Sequence, residues 1–472
     1  MADHPTEHGV GSLQNTDADI TTHAVDIFRL PVHDESMIGG FTSIIRPVNN
    51  SDPFIFRIPA QGMSYLLLAA ARLYMVLRVV RGDGTEVTDD DYVSVINLIG
   101  NSIWEKIDVE IGGVLVPELG NLFANYKAYL ETLLSYSYDA YNSHLQASRF
   151  IMDDAREYED IGVRHKAAVV AGQGIAAQAE VPFKASENQG FITRREMCNN
   201  SKRFEVISPV VSDFMQIKKL LPPGVPVSLI FTRARDAFTI LSNKPGADFK
   251  IEIEDIKLHV RHVNLKPDLT TAHRRLFEIR PACYPIKRTI IKVSAHAPGL
   301  TSITLPSCFL GVMPKSLIVA LVPSTSFHGS YSKNPYFFPH LNLKSMFIRV
   351  NNRQIPSEPF TPDWDNKMYL REYRALFDST GIAHCDMGNL ITPPHFAGGS
   401  TLFAFDLTPD ECAGRHLHTR DTGWLDVEMY FKEALKASVN VLLFAIFDNV
   451  IFIDKHNKVT MDVKPVSGAD MR

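Results

Sequence analysis

Short segments of the first half of this chain recur, in the same order, in the second. SIIRPV from Ser43 is answered by TIIKVS from Thr289, and FRIPA by ITLPS, which sets Pro59 against Pro306, at offsets of 246 and 247 residues. VEIGGVLVP and IRVNNRQIP set Val109 against Ile348 and Pro117 against Pro356 at 239, after which Tyr126 meets Tyr369 and Leu133 meets Leu376 at 243. Ile207-Ser208-Pro209 then matches Leu407-Thr408-Pro409, and VPVSLIF (225 to 231) matches LDVEMYF (425 to 431), both at 200. One such pairing carries little weight, because β sequences resemble one another. Six in colinear order with slowly drifting offsets are what a duplicated domain leaves behind. The fall from 243 to 200 gives the first copy 43 extra residues, placed within about 136 to 203.

The repeated unit reads as β structure. TSIIRPV (42 to 48), PFIFRIP (53 to 59), RLYMVLRVV (72 to 80), KIDVEIGGVLV (106 to 116), FKIEIEDIKLHVRHV (249 to 263) and VNVLLFAIFDNVIFI (439 to 453) are rich in β-branched and aromatic residues and punctuated by Asn, Asp, Gly and Pro. Helical signals are few: YKAYLETLL (126 to 134), Pro267 to Phe277 with Asp268 as candidate N-cap, and KMYLREYRALF (367 to 377). The spacing predicts an all-β chain of two tandem eight-stranded antiparallel jelly rolls with a few short helices in the connections, since about eight strands per copy overfill one flat sheet. A helix is expected between the fourth and fifth strands of each copy. The division expected is a flexible arm over 1–24, a first jelly roll over 25–266 with the insertion at about 136–203, a linker helix over 267–278, a second jelly roll over 279–460 and a tail over 461–472. The 472 residues suffice for two such cores.

Charge and composition exclude several functions. Lys+Arg 48 against Asp+Glu 53 gives a formal net charge of −5, which argues against a dedicated nucleic-acid binder. The doublets Lys218-Lys219, Arg274-Arg275 and Lys287-Arg288 read as isolated solvated edges. The apolar stretches 65–80 and 439–453 are interrupted by Arg72 and by Asp448 and Asn449, short of a membrane span. The start MADHPTEHGV has neither the basic nor the apolar region of a secretion signal, so no signal peptide is expected. Five scattered cysteines, Cys198, Cys283, Cys308, Cys385 and Cys412, suit a reducing compartment.

No pattern carries catalysis. Gly172, Gly174 and Ala177 imitate a dinucleotide loop, but Pro182 would stop the helix that must receive the pyrophosphate. His416 and His418 have the spacing of a strand-borne metal pair, yet Asp421 and Glu428 do not complete a cupin set and no further histidine stands out. His259 and His262, three apart on a strand, face opposite ways. His384, Cys385 and Asp386 are the residue types of a thiol site, but neighbours in sequence seldom converge in space. The reading is of a non-enzyme with no catalytic, cofactor-binding or metal residues and no cofactor.

Longer runs resemble one family. YLLLAAARLYMVLRVVRGDGTEVTDDDYVSVINLIGNSIWEKIDVEIGGVLV (65 to 116), YKAYLETLLSYSYDA (126 to 140), GSYSKNPYFFPHLNLKSMFIRVNNRQIPSEPFTPDW (329 to 364), TLFAFDLTPDECAG (401 to 414) and VNVLLFAIFDNVIFID (439 to 454) are similar to the major capsid proteins of Polinton (Maverick) elements and adintovirus-like DNA viruses. The resemblance covers roughly residues 25 to 460. It implies a double jelly-roll major capsid protein, of which homotrimers form pseudo-hexagonal capsomers that tile an icosahedral shell around a double-stranded DNA genome. It also implies self-association, penton and minor capsid partners, no specific nucleic-acid contact, no membrane span, and residence in a virion assembled inside the host cell. The alternatives are a domesticated capsid-like or glycan-binding β-sandwich module and, after it, a cupin-like metalloenzyme. The insertion holds Asp139, Asp153, Asp154, Glu157, Glu159 and Asp160, and much of it is expected at an end of the capsomer, outside the shared core, as a protrusion or a clamp over an adjacent subunit.

Overall fold

The computed structural model describes residues 35–59, 62–116, 121–162, 185–244, 246–383, 385–409 and 421–461. Its first half contains β1 (Met37–Ile45), β2 (Phe54–Ile58), β3 (Tyr65–Arg81), β4 (Trp104–Ile111), β5 (Val114–Leu115), β6 (Phe204–Pro209), β7 (Val227–Arg233) and β8 (Phe249–Leu265). The second half contains β9 (Ala282–His296), β10 (Ser302–Val312), β11 (Ser316–Pro323), β12 (Leu343–Val350), β13 (Arg353–Phe360), β14 (Leu402–Asp406), β15 (Thr422–Phe431) and β16 (Val439–Ile453). The first eight strands form two sheets ordered β1-β8-β3-β6 and β2-β7-β4-β5, and the next eight form β9-β16-β11-β14 and β10-β15-β12-β13. Adding eight to every label of the first pair generates the second. The protein is thus two antiparallel jelly rolls of identical winding.

The repeat pairings fall on equivalent strands: Ser43 and Thr289 on β1 and β9, Val109 and Ile348 on β4 and β12, VPVSLIF and LDVEMYF on β7 and β15. The turn from β4 to β5 uses Gly112 and Gly113 at φ 63 and 81, and that from β12 to β13 uses Asn351 and Asn352 at φ 49 and 68. Two consecutive left-handed residues are what a tight hairpin needs to match strand twist, and Gly and Asn are the residues that tolerate them.

Four longer helices connect the strands: α1 (Ala124–Ser135), α2 (Gln189–Cys198), α3 (Pro267–Ile279) and α4 (Leu370–Thr380). Because 106–116 is a hairpin rather than one strand, α1 and α4 lie between the fifth and sixth strands of their rolls, not the fourth and fifth. Asp268 is not the N-cap of α3. Lys266 holds that position and Pro267 occupies the first turn, where its missing N–H costs nothing.

Strand β3 alternates, with Leu73, Met75, Leu77 and Val79 buried and Tyr74, Val76 and Arg78 half-buried, as a sheet covered on one face demands. By contrast Ser316–Val322 of β11 and Leu402–Phe405 of β14 are buried at every position, so this part of the sheet is covered on both faces. One continuous set of buried side chains runs from Phe54 to Ile453 through both rolls.

The insertion corrects an expectation. Leu145, Phe150, Met152, Ile161, Phe191 and Cys198 join the common core, and Asp153 is buried with them. At Gly190 in the first turn of α2 an added Cβ would lie 2.1 Å from the Met152 carbonyl oxygen, so only glycine permits this approach. Of the six acids only Asp153 is buried, where Arg194, Asn188 and Asn334 satisfy it; Asp139 and Asp154 stay exposed and the other three are half-buried. Residues 163–184, with the small-residue stretch, lie outside the described residues.

Candidate functional site at the seam between the rolls

The rolls meet along α1. Ten of its twelve residues are buried, among them Tyr126, Lys127, Tyr129 and Leu133. Tyr129 stacks on Tyr336 of the second half, with ring centroids 3.9 Å apart and planes 1° from parallel, and Tyr126 stacks on Phe327 at 5.3 Å. The Tyr336 hydroxyl donates to Ser102 Oγ at 2.6 Å. Lys127, also buried, pairs with Glu131 at 2.7 Å and Asp213 at 3.1 Å. Burial opposes the Lys127 charge, but Asp213 and Glu131 outweigh it and raise the proton affinity of the ammonium; burial raises that of Asp213. The Thr289 N–H of β9 donates to Asp213 at 3.1 Å, and the Tyr284 hydroxyl donates to the Leu220 carbonyl at 3.1 Å. First-roll residues 213–220 thereby lie against a second-roll strand.

A second buried constellation ties the insertion into the seam. Arg194 of α2 pairs with Asp153 at 2.5 Å, both side chains being fully buried, and donates to the Val95 and Ile151 carbonyls. The Asn188 amide donates to Asp153 at 2.9 Å, and the Asn334 amide of the second half donates to the other Asp153 oxygen at 3.0 Å. Tyr158 and Ser400 hydroxyls lie 2.7 Å apart. This satisfied network links residues almost 250 positions apart and fixes the rolls in one relative orientation.

The helix equivalent to α1 behaves differently. Only Glu372, Leu376 and Ser379 of α4 are buried, and Leu370 in its first turn and the preceding Met368 are each 63% exposed. The sheet of the first roll that corresponds to the doubly covered one leaves Ile44 62% and Ile207 42% exposed, with Tyr74 between their strands half-exposed. One helix and one sheet face are therefore covered inside the chain, and their repeat equivalents are not.

In the connection after β3, Asp91 receives Arg81 at 2.6 Å, Lys244, and the Thr88 N–H at 2.8 Å. Burial raises its proton affinity, but Arg81, Lys244 and Thr88 outweigh it and hold the carboxyl at about 2. Its contribution is present above the ordinary carboxylate range and is lost as pH falls toward 2. Asp91→Asn is expected to remove about 2 kcal/mol of the stability lost between pH 5 and pH 2, measured as flatter urea midpoints across that range.

The residues singled out from sequence do not converge. His262 accepts or donates to Ser43 Oγ at 2.8 Å and stacks on Phe41, whereas His259 stacks on Tyr74. Glu428 pairs with Arg349 at 2.7 Å and accepts from the Tyr430 hydroxyl, and the Asp421 carbonyl accepts from the Met313 N–H. Cys385 and Asp386 are exposed. His384, His416, His418, Cys412, Gly172, Gly174 and Ala177 lie outside the described residues. Burial pushes the Cys198 thiol up to about 12 and Cys308 to about 11, so neither is a nucleophile near neutrality. Among the described residues no group of three or more His, Cys, Asp or Glu side chains could hold a metal, and no helix is long and apolar enough to cross a membrane. Sequence reading missed Arg194, Asp153 and Asn334, whose pairing appears only when α2 folds back.

Solved structures share this arrangement over almost the whole chain. The Sputnik virophage structure matches 96% of this chain and 94% of its own, with TM-score 0.60 and 11% identity. The PBCV-1 virus capsid chain matches with TM-score 0.53 at 12% identity, covering 92% of this chain and 98% of that one. The Faustovirus major capsid protein matches with TM-score 0.52 at 8% identity, covering 94% and 96%. By sequence, a Caenorhabditis elegans protein described as uncharacterized, F54H12.2, is 22% identical over 414 residues, which span 85% of this chain and 91% of that protein. The chain matches no protein-family model.

Proposed function

We propose that the protein is a structural major capsid protein of the Polinton and adintovirus kind. In this reading homotrimers form pseudo-hexagonal capsomers of an icosahedral shell around double-stranded DNA, joined by penton and minor capsid proteins, in virions assembled inside the host cell. The division into arm 1–24, first roll 25–266, linker 267–278, second roll 279–460 and tail 461–472 belongs to the same proposal, as does the lack of catalytic, cofactor and metal residues. The observation that carries it is the unequal cover of equivalent parts. Inside one chain, α1 fills the seam between rolls; α4, its equivalent, presents Met368 and Leu370 to solvent. If the second roll of one copy meets the first roll of the next as the two rolls meet within a chain, α4 covers the face bearing Ile44 and Ile207. In this reading the head-to-tail contact closes after three copies and gives six similar wedges. The fold shared with viral capsid proteins and the sequence resemblance over residues 25 to 460 support this reading.

Light scattering tests it. The 52.9 kDa chain is expected at the mass of three copies, about 159 kDa, and Met368→Glu with Leu370→Glu is expected to yield a folded monomer. A wild-type monomer at micromolar concentration contradicts the proposal.

A further inference from the structure

The negative charge of this protein sits in one place. Residues 1–34 carry six carboxylates, Asp3, Glu7, Asp17, Asp19, Asp26 and Asp34, against the single cation Arg29, a charge of −5. That equals the formal charge of the whole chain, so residues 35–472 are balanced at 47 basic and 47 acidic side chains. The segment VDIFRLPVHD (25 to 34), the last ten of these 34 residues, adds Ile27, Phe28 and Leu30 to its acids. It joins the fold at the start of α3, where Lys266 donates its N–H to the Ser36 carbonyl at 3.0 Å and pairs with Glu35.

Alongside α3 opens a cleft of about 790 Å³, with cations Lys218, Lys219, Arg274 and Arg280 around an apolar floor that includes Leu276 and Phe277. No Asp or Glu is among its described lining residues. The basic doublets that look isolated in sequence are thus partly gathered, because the connection after β6 and the linker helix reach the same end of the molecule. The Tyr65 hydroxyl meets His273 Nδ1 at 3.1 Å across this junction.

We propose that residues 25–34 fold back into this cleft of their own chain, setting Asp26 and Asp34 among its cations and Phe28 and Leu30 on its apolar floor. The reach is sufficient: thirteen helical residues of α3 extend about 20 Å, whereas ten extended residues span up to about 33 Å. A nucleic acid would use the cations alone, while an acidic peptide with bulky anchors uses both the rim and the floor. The inference holds whether or not the chain builds shells, so its failure is separate from that of the capsid proposal.

The exposed Cys283 at the cleft is a built-in probe. In full-length protein carrying Cys385→Ser and Cys412→Ser, Phe28→Cys is oxidised with copper phenanthroline and disulfides are mapped by peptide mass spectrometry. A bond to Cys283 within one chain is expected, about tenfold more abundant than from Ala2→Cys. Lys219→Glu with Arg274→Glu is expected to lower that yield about fivefold. Should the charge reversal fail to fold, removal of residues 1–34 from the otherwise unchanged chain is expected to reduce hydrogen-exchange protection over 218–223 and 270–284. A yield no higher than from Ala2→Cys, or a bond formed only between chains, overturns the inference. So does salt-sensitive binding of a 20-nucleotide single-stranded DNA that Lys219→Glu with Arg274→Glu abolishes, with no Phe28→Cys crosslink.

Discussion

Asp153→Ala is expected to lower the free energy of unfolding by about 3 to 5 kcal/mol. The substitution leaves the Arg194 guanidinium fully buried without its anionic partner, and deprives the Asn188 and Asn334 amides of an acceptor. The cost is therefore that of an uncompensated interior charge rather than of one ion pair. Replacing both partners, Asp153→Leu with Arg194→Met, is expected to cost less than Asp153→Ala alone, because no charge is then left behind. Urea unfolding followed by tryptophan fluorescence measures both. A loss for Asp153→Ala below about 1 kcal/mol would mean that water screens the pair, as at a surface ion pair, and would remove the network as a clamp on the seam.

Tyr336→Ala is expected to cost a similar 3 to 5 kcal/mol, through a different mechanism. The ring is fully buried against Tyr129, Tyr126 and Phe238, and these belong to first-roll elements while Tyr336 belongs to the second half. Removing it opens a cavity in the seam and severs the stack that joins the rolls. Tyr336→Phe, which forfeits the hydrogen bond to Ser102 but keeps the ring, is expected to lose about 1 kcal/mol. Wild-type protein should unfold in a single transition, since one continuous core spans both rolls. Tyr336→Ala should separate the transition into two, visible by calorimetry. A single transition at an unchanged midpoint would show that the rolls are coupled elsewhere.

The sequence made the duplicated fold legible because strand alternation and hairpin chemistry are local. Gly112-Gly113 and Asn351-Asn352 mark the same turn in both copies with different residues of the same conformational tolerance. The seam was not legible for the opposite reason. Asp153, Arg194 and Asn334 are ordinary polar residues in polar stretches, and only the long-range closure of α2 onto residues 150–153 removes them from water. Counting the acids of the insertion therefore placed it outside the core, since charge in a sequence says nothing about whether a partner waits in the fold. The near-complete burial of β11 was partly visible as the unbroken apolar run SLIVALV (316 to 322), a pattern that signals two covered faces. What lies against this sheet, α4 on β14 and residues 213–220 on β9, follows from tertiary packing alone.

The most direct test of the central claim is electron microscopy of the purified full-length protein. The account predicts particles with three-fold symmetry and six lobes around a pseudo-hexagonal outline, in which each α4 lies against the β1-β8-β3-β6 sheet of the next copy. Isolated two-lobed monomers, or two-fold dimers that leave α4 exposed, would contradict it.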